Sequence, residues 1–300
     1  MFDLPSSLID MDVARDRGRP PKSEKALLIL KEYDPTIFKD RFGEFAIRLA
    51  YDDHYRTYML PSEAFENWLV AVYAQRTGEV IGDSARKTVL DTLQGLGELN
   101  AIRSDFHTRV GRHDDKIYID VCDDSWQAIE IDQEGWRVIR KTPVIFRRSK
   151  GMKPLPIPQS TDRTVKDIVS PLINVEEDGH LCLILTWLLF ALDGRGPYPI
   201  LLLKGEQGSG KSKLAEVLRS LIDPHQVPHV SPPENQEALD VATRHNWMIA
   251  LDNVSWMPNW LSDGLCRIAT GAGSAYRKLY TDEAIRYFKA RRPIVMNSID

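Results

Sequence analysis

The residues best placed to do chemistry are Lys211 and Ser212 at the end of a glycine-rich octapeptide, Asp252 forty residues on, and Asn297 forty-five beyond that. The octapeptide Gly205-Glu206-Gln207-Gly208-Ser209-Gly210-Lys211-Ser212 fits G-x-x-x-x-G-K-[ST] at every fixed position. Such glycines let the backbone fold around a polyphosphate with its N–H groups pointing inward, and the N-terminus of the following helix adds a partial positive charge. Lys211 is expected to reach the β- and γ-phosphates, and the Ser212 hydroxyl to sit on Mg²⁺. The ligand this predicts is ATP with Mg²⁺. Asp252 closes an apolar run and is the expected partner carboxylate for the metal, directly or through water. The next position, where a second acid would activate the attacking water, holds Asn253. An amide can hold a water but cannot take its proton, so hydrolysis is expected to be slow, or to depend on another acid such as Asp263 or on an assembly partner. Asn297, at the tip of a third apolar run, is a candidate to sense the γ-phosphate and orient that water, although asparagine is common at any strand end.

These residues need strands to carry them. Ile200-Leu201-Leu202-Leu203 reads as a buried strand leading into the loop, Asn246 to Leu251 as a second and Arg292 to Met296 as a third. Leu214, Val217, Leu218 and Leu221 recur at i, i+3, i+4 and i+7 and predict the helix that leads out of the loop. Ahead of it, the uncharged run Leu181–Leu192 reads as a buried helix, being only twelve residues long and too short to span a bilayer. The expected fold is α/β: a P-loop core over 179–300 with a smaller N-terminal α+β domain over 43–148. A Pro-containing linker over 149–178 joins them, and a basic, polar arm and helix over 1–42 precedes both.

Within the N-terminal half, Phe45–Leu49 and Tyr55–Leu60 around Asp52-Asp53-His54 predict a hairpin. Ser62 is placed to cap a helix whose stripe is Phe65, Trp68, Leu69, Val72 and Tyr73, and a second helix runs from about Asp83 to Leu96. Short strands follow over 116–121, 128–131, 136–139 and 144–146, with a turn at Asp132–Gly135. Arg17-Gly18-Arg19-Pro20 matches the core of a minor-groove arm, or is simply a basic linker. Arg147, Arg148, Lys150 and Lys153 read as a basic surface patch or a solvated strand end.

Composition sets wide limits. Three hundred residues with 43% apolar content suit about two globular domains. A net charge of −4 neither requires nor excludes nucleic acid. Cys122, Cys182 and Cys266 are odd in number, far apart and without metal-ligand spacing, which fits a reduced, cytoplasmic compartment and no membrane partner.

Taken together, the loop, the strand ending Asp252-Asn253 and the run Pro293–Asn297 lie within about a hundred residues. In that compactness the chain resembles superfamily 3 helicases, especially the ATPase part of viral and phage primase–helicases and their relatives on bacterial mobile elements. The resemblance implies a DNA-dependent ATPase that works as a homo-oligomeric ring on single-stranded DNA. It also assigns Tyr276–Asp282 to a basic-aromatic hairpin, with Arg277 and Lys278 on phosphates and Tyr280 stacking on a base. An alternative reading of that hairpin is a solvated turn packed by two tyrosines. The N-terminal half also resembles the region that precedes the ATPase in bacterial members, through Lys116–Asp120, Gly135–Val138, and Phe146-Arg147-Arg148 through Pro154-Leu155-Pro156. Such rings take an arginine finger from a neighbouring subunit, which is expected beyond the third strand and outside this sequence. Residues 1–150 show no paired acids or zinc ligands of a primase. A nucleotide-binding regulatory or adaptor module with little hydrolysis is the rival reading, favoured by Asn253. A small-molecule kinase would need a basic lid, which the sequence does not show.

Overall fold

The computed structural model describes residues 20–175, 177–277, 285–288 and 290–298, with backbone only for 274–277 and 285–288. The Arg17–Arg19 segment, Lys278 and Tyr280 lie outside the described residues. The chain is mixed α/β with several sheets and divides into two compact units, Met1–Phe106 and His107–Asp300.

In the first unit, helix α1 (Lys22–Lys31) precedes strands β1 (Thr36–Lys39), β2 (Phe45–Ala50) and β3 (Tyr55–Leu60). Helices α2 (Glu63–Thr77) and α3 (Asp83–Asn100) and the short strand β4 (Ile102–Arg103) follow. The sheet order is β3-β2-β1-β4, and only β4 runs parallel to its neighbour. The expected hairpin is present in full register from Phe45↔Leu60 to Ala50↔Tyr55. Ser62 caps α2, its hydroxyl accepting from the Phe65 N–H at 3.2 Å. The stripe of Phe65, Trp68, Leu69, Val72 and Tyr73 is buried against Ile37, Ile47 and Leu49 of the sheet.

The second unit opens with an antiparallel meander: β5 (Val110–His113), β6 (Lys116–Asp120), β7 (Ala128–Asp132) and β8 (Gly135–Ile139). Its turn pairs Asp132 with Gly135, as expected. Next come α4 (Asp178–Asp193), β9 (Ile200–Lys204), α5 (Lys211–Ile222), α6 (Gln236–His245), β10 (Ile249–Leu251) and α7 (Asn259–Thr270). Two antiparallel strands, β11 (Ser274–Arg277) and β12 (Ile285–Phe288), lead to β13 (Ile294–Ser298). Strands β9, β13 and β10 form a parallel sheet in that order, so the last strand in sequence is the middle one in space.

Several expectations about burial are corrected. Strand β9, expected to be buried, is the edge strand of its sheet: Leu203 is buried, Ile200 and Leu201 are part-buried, and Leu202 is exposed. Helix α4 is not buried all round. Leu181, Ile184, Trp187, Leu188 and Ala191 enter the core, but Leu183, Leu189 and Phe190 stay exposed. Its apolar residues cover the whole circumference while the core takes only one face. On α5 the buried stripe is Ala215, Leu218 and Ile222, and Leu221 is exposed.

Candidate nucleotide-binding site

Strand β9 ends at Lys204 and the chain turns into the glycine loop. Gly208 (φ 85°) and Gly210 (φ 89°) take left-handed backbone conformations, which a residue with a Cβ adopts only at a cost. Gly210 is also the N-cap of α5, so the first turn of that helix faces the loop. Its unpaired N–H groups and the positive end of its dipole suit an anion. The Lys211 ammonium folds back over the loop, donating to the carbonyls of Gly205 at 2.6 Å and Glu206 at 2.7 Å. A phosphate oxygen is a stronger, charged acceptor for the same ammonium than either carbonyl.

The three-strand order explains what meets this loop. β13 pairs Leu203 with Asn297 on one side and Leu251 with Met296 on the other. Asn297 therefore stands between the end of β9 and Asp252, which follows β10. Its side chain is buried, with the residue 1% exposed. Its amide donates to Asp252 Oδ1 and, at 3.3 Å, to the Ser212 hydroxyl oxygen. Ser212 in turn donates to Asp252 Oδ1 at 2.9 Å. The Asn297 carbonyl oxygen Oδ1 accepts the Asn253 backbone N–H at 2.7 Å, and its main-chain carbonyl accepts from Val254 at 2.9 Å. Ser212, Asp252, Asn253 and Asn297 thus converge from 85 residues of sequence.

Burial is the largest influence on the Asp252 carboxyl and works to raise its pKa. The hydrogen bonds from Asn297 and Ser212, the neighbouring His229 and the Asn253 backbone together outweigh it, so Asp252 titrates below the usual carboxylate range. The acid is held ionised, with hard oxygen donors beside it, as Mg²⁺ requires. No group of three or more His, Cys, Asp or Glu side chains able to hold a metal occurs among the described residues.

Asn253 has φ 55°, in the left-handed region that asparagine tolerates better than most residues. This backbone requirement is not visible in the sequence. Asp263 is exposed on α7. A cavity of about 540 Å³ opens beside the loop, lined by Ile184, Leu201, Lys204, Gly205, Lys211 and Leu214 among others, a size that holds a nucleoside or similar small molecule. Two residues of structural weight were missed. One is His229, whose Nδ1 lies 3.2 Å from Asp252 Oδ2. The other is Arg109, fully buried against Asp223. No pattern in the sequence marks either. Of the expected basic patch, Arg148 is committed to Asp120 and to the Asp123 carbonyl, with its guanidinium over the Trp126 ring. Arg277 lies on β11, which pairs antiparallel with β12; the second strand, Ile285–Phe288, falls beyond the expected Tyr276–Asp282.

Residues 166–300, a little under half of the chain, match the family model described as "Actinomycete integrative conjugative element replication protein". This part of the chain is similar to replication proteins of mobile elements, which supports a role in DNA replication. The replication and mobile-element expectations rest on that match; its description does not extend to a helicase or ATPase activity. No curated protein matches the chain. Among solved structures, the chain is 13% identical to the A-form apo structure of the NrS-1 C-terminal region, covering 94% of this chain and 57% of that one with a TM-score of 0.44. It is 14% identical to the apo structure of the NrS-1 C-terminal region, residues 305–718, covering 94% of this chain and 58% of that one, again with a TM-score of 0.44. The chain thus spans less than three fifths of these structures. No helix among the described residues is long and apolar enough to cross a membrane.

Proposed function

We propose that the second unit binds ATP with Mg²⁺ and, in an oligomeric ring, couples its hydrolysis to movement on single-stranded DNA during replication of a mobile element in the cytoplasm. The observation that carries the reading is the convergence of Ser212, Asp252 and Asn297 at the mouth of the glycine loop. In this reading the core is a P-loop ATPase of the superfamily 3 type. The amides of Gly205–Ser212 and the Lys211 ammonium hold the phosphates. Ser212 and Asp252 hold the metal, which when bound neutralises charge on the phosphate oxygens. Asn297, already bonded to both of them, is placed to orient a water at the γ-phosphate. The cavity beside the loop takes the nucleoside. Arg277, with Lys278 and Tyr280 after it, reaches the DNA.

The second reading is a nucleotide-dependent regulatory module with little turnover. Asn253 favours it, since its amide takes no proton and its φ of 55° serves the turn. The test is nucleotide binding and ATPase rate, each with and without single-stranded DNA and across a salt series. A motor binds ATP, hydrolyses it faster with DNA, and loses DNA affinity steeply with salt. Binding without DNA-stimulated turnover supports the regulatory module. Absence of ATP binding overturns both.

A further inference from the structure

We infer that His229 is a positioning residue for the metal-holding carboxylate, Asp252. The inference rests on the nucleotide reading above and adds a residue to it.

Asp252 presents two oxygens, and the chain treats them differently. Oδ1 receives Ser212 and Asn297, the groups that face the glycine loop. Oδ2 meets His229 Nδ1 at 3.2 Å. A carboxylate held at one oxygen only can still rotate about its Cβ–Cγ bond, a broad and soft torsion. Held at both, it has one orientation, the one that keeps Oδ1 toward the Ser212 hydroxyl. His229 supplies the second hold, through the contact of its Nδ1 with Oδ2.

The segment that carries His229 is built for this. Val230 donates to the Ala250 carbonyl at 3.0 Å, and Asp252 donates back to the Val230 carbonyl at 2.9 Å. This parallel bridge, Val230↔Leu251, lies one residue from each partner of the His229–Asp252 contact and fixes their backbones together. The other end of the segment is tied as well. Gln226 donates to the Gly151 carbonyl and Lys153 to the Pro224 carbonyl, both at 2.8 Å. The imidazole is thus delivered from a fixed frame. With side-chain exposures of 31% for His229 and 16% for Asp252, the pair is part-buried at the rim of the site.

A positioning role predicts a specific division of effects. Losing His229 loosens the metal-holding carboxylate and leaves the loop that binds phosphate untouched. The experiment is a fluorescence titration of the full chain with a labelled ATP analogue, with Mg²⁺ and in excess EDTA, for the unsubstituted protein, His229→Ala and His229→Asn. In His229→Ala, the Mg²⁺ concentration for half-maximal enhancement of binding rises about three- to tenfold, while affinity in EDTA and the thermal midpoint without nucleotide stay the same. His229→Asn, whose amide nitrogen falls near the position of Nδ1, recovers most of the Mg²⁺ dependence. An unchanged Mg²⁺ dependence in His229→Ala overturns the inference and leaves the nucleotide reading intact. An equal loss with and without Mg²⁺, or a lowered thermal midpoint, overturns it in favour of a purely structural histidine. If the unsubstituted protein binds no nucleotide, the nucleotide reading fails, and this inference with it.

Discussion

The stretch from Trp247 to Asp252 has an acid cluster at each end, and the two clusters treat their carboxylates in opposite ways. At the start, Asp223 is fully buried and bonded by groups that cannot leave. Arg109 Nε donates to one oxygen at 3.1 Å, and the backbone N–H groups of Trp247 and Met248 donate to the other at 2.9 and 3.2 Å. The Arg109 guanidinium spends its remaining donors on the carbonyls of Asp120, Val121, Lys153 and Pro224. At the far end, Asp252 is partly open and its partners are a hydroxyl, an amide and an imidazole. No lysine or arginine side chain bonds to it among the described residues. A carboxylate neutralised by guanidinium and main chain is fixed structure. One oriented by side chains, with its charge unspent, can trade partners with a cation. The first cluster anchors the strand on which the second is mounted.

The comparison breaks first at the buried end. Arg109→Met takes one of two guanidiniums from the buried Asp223 charge, leaving that of Arg219 at 3.7 Å, and is expected to cost about 3 kcal/mol in urea unfolding. Arg109 also holds φ 61°, a strained conformation for a residue with a long side chain, which the structure keeps only because every donor of the guanidinium is used. A loss below about 1 kcal/mol would mean that the cluster does not anchor the strand.

At the open end the expected effect moves from stability to binding. Lys211→Ala and Asp252→Asn each weaken Mg²⁺-ATP by at least about tenfold, or about 1.4 kcal/mol, with unfolding free energy changed by less than about 1 kcal/mol. Isothermal titration beside urea curves separates the two quantities. If Asp252→Asn unfolds the protein as readily as Arg109→Met, the distinction between the clusters is gone.

What could be read in advance follows the same line. The loop, the three strands and the convergence of Ser212, Asp252 and Asn297 were legible because each lies in a local pattern: glycine spacing, an apolar run, a polar residue at its tip. The hairpin at 45–60 and the Ser62-capped helix were legible for the same reason. Arg109–Asp223 spans 114 residues and His229–Asp252 comes from a segment without regular secondary structure. Both contacts exist only once the sheet is assembled, so no local pattern announces them. The exposed side of α4 was missed because a helix apolar on every face gives no direction. The left-handed backbone at Asn253 was missed because asparagine suits many conformations, so its identity does not reveal which one it takes.

A smaller effect sharpens the electrostatics of the open cluster. Burial alone would raise the Asp252 carboxyl, and the hydrogen bond from Asn297 is the strongest influence holding it down. A folded pKa below the unfolded value of about 3.9 gives stability that is fully present above that value and lost as pH falls through the folded pKa. Asn297→Ala is therefore expected to raise the Asp252 pKa and to cost about 1–2 kcal/mol near neutral pH, part of it the orphaned Asn253 N–H. The difference from the unsubstituted protein narrows below about pH 4. Carboxyl carbon shifts through an acid titration report the pKa directly, and an unmoved Asp252 would show that Asn297 is not what holds it ionised.

The smallest effect concerns the departure at Asn253. If its amide serves catalysis, glycine there removes function; if it serves the turn, glycine preserves the backbone at φ 55° and loses only the side chain. The geometry favours the turn, because the contact that Asn253 makes with Asn297 is through its main-chain N–H. Asn253→Gly is expected to change unfolding free energy by no more than a few tenths of a kcal/mol, since glycine occupies the left-handed region freely. Asn253→Val, β-branched and poorly suited to positive φ, is expected to cost about 1–2 kcal/mol. ATP turnover by Asn253→Gly should stay within about twofold of the unsubstituted protein's. A tenfold loss of turnover with stability intact would instead assign the Asn253 side chain to the reaction and place the working part of the open cluster one residue beyond Asp252.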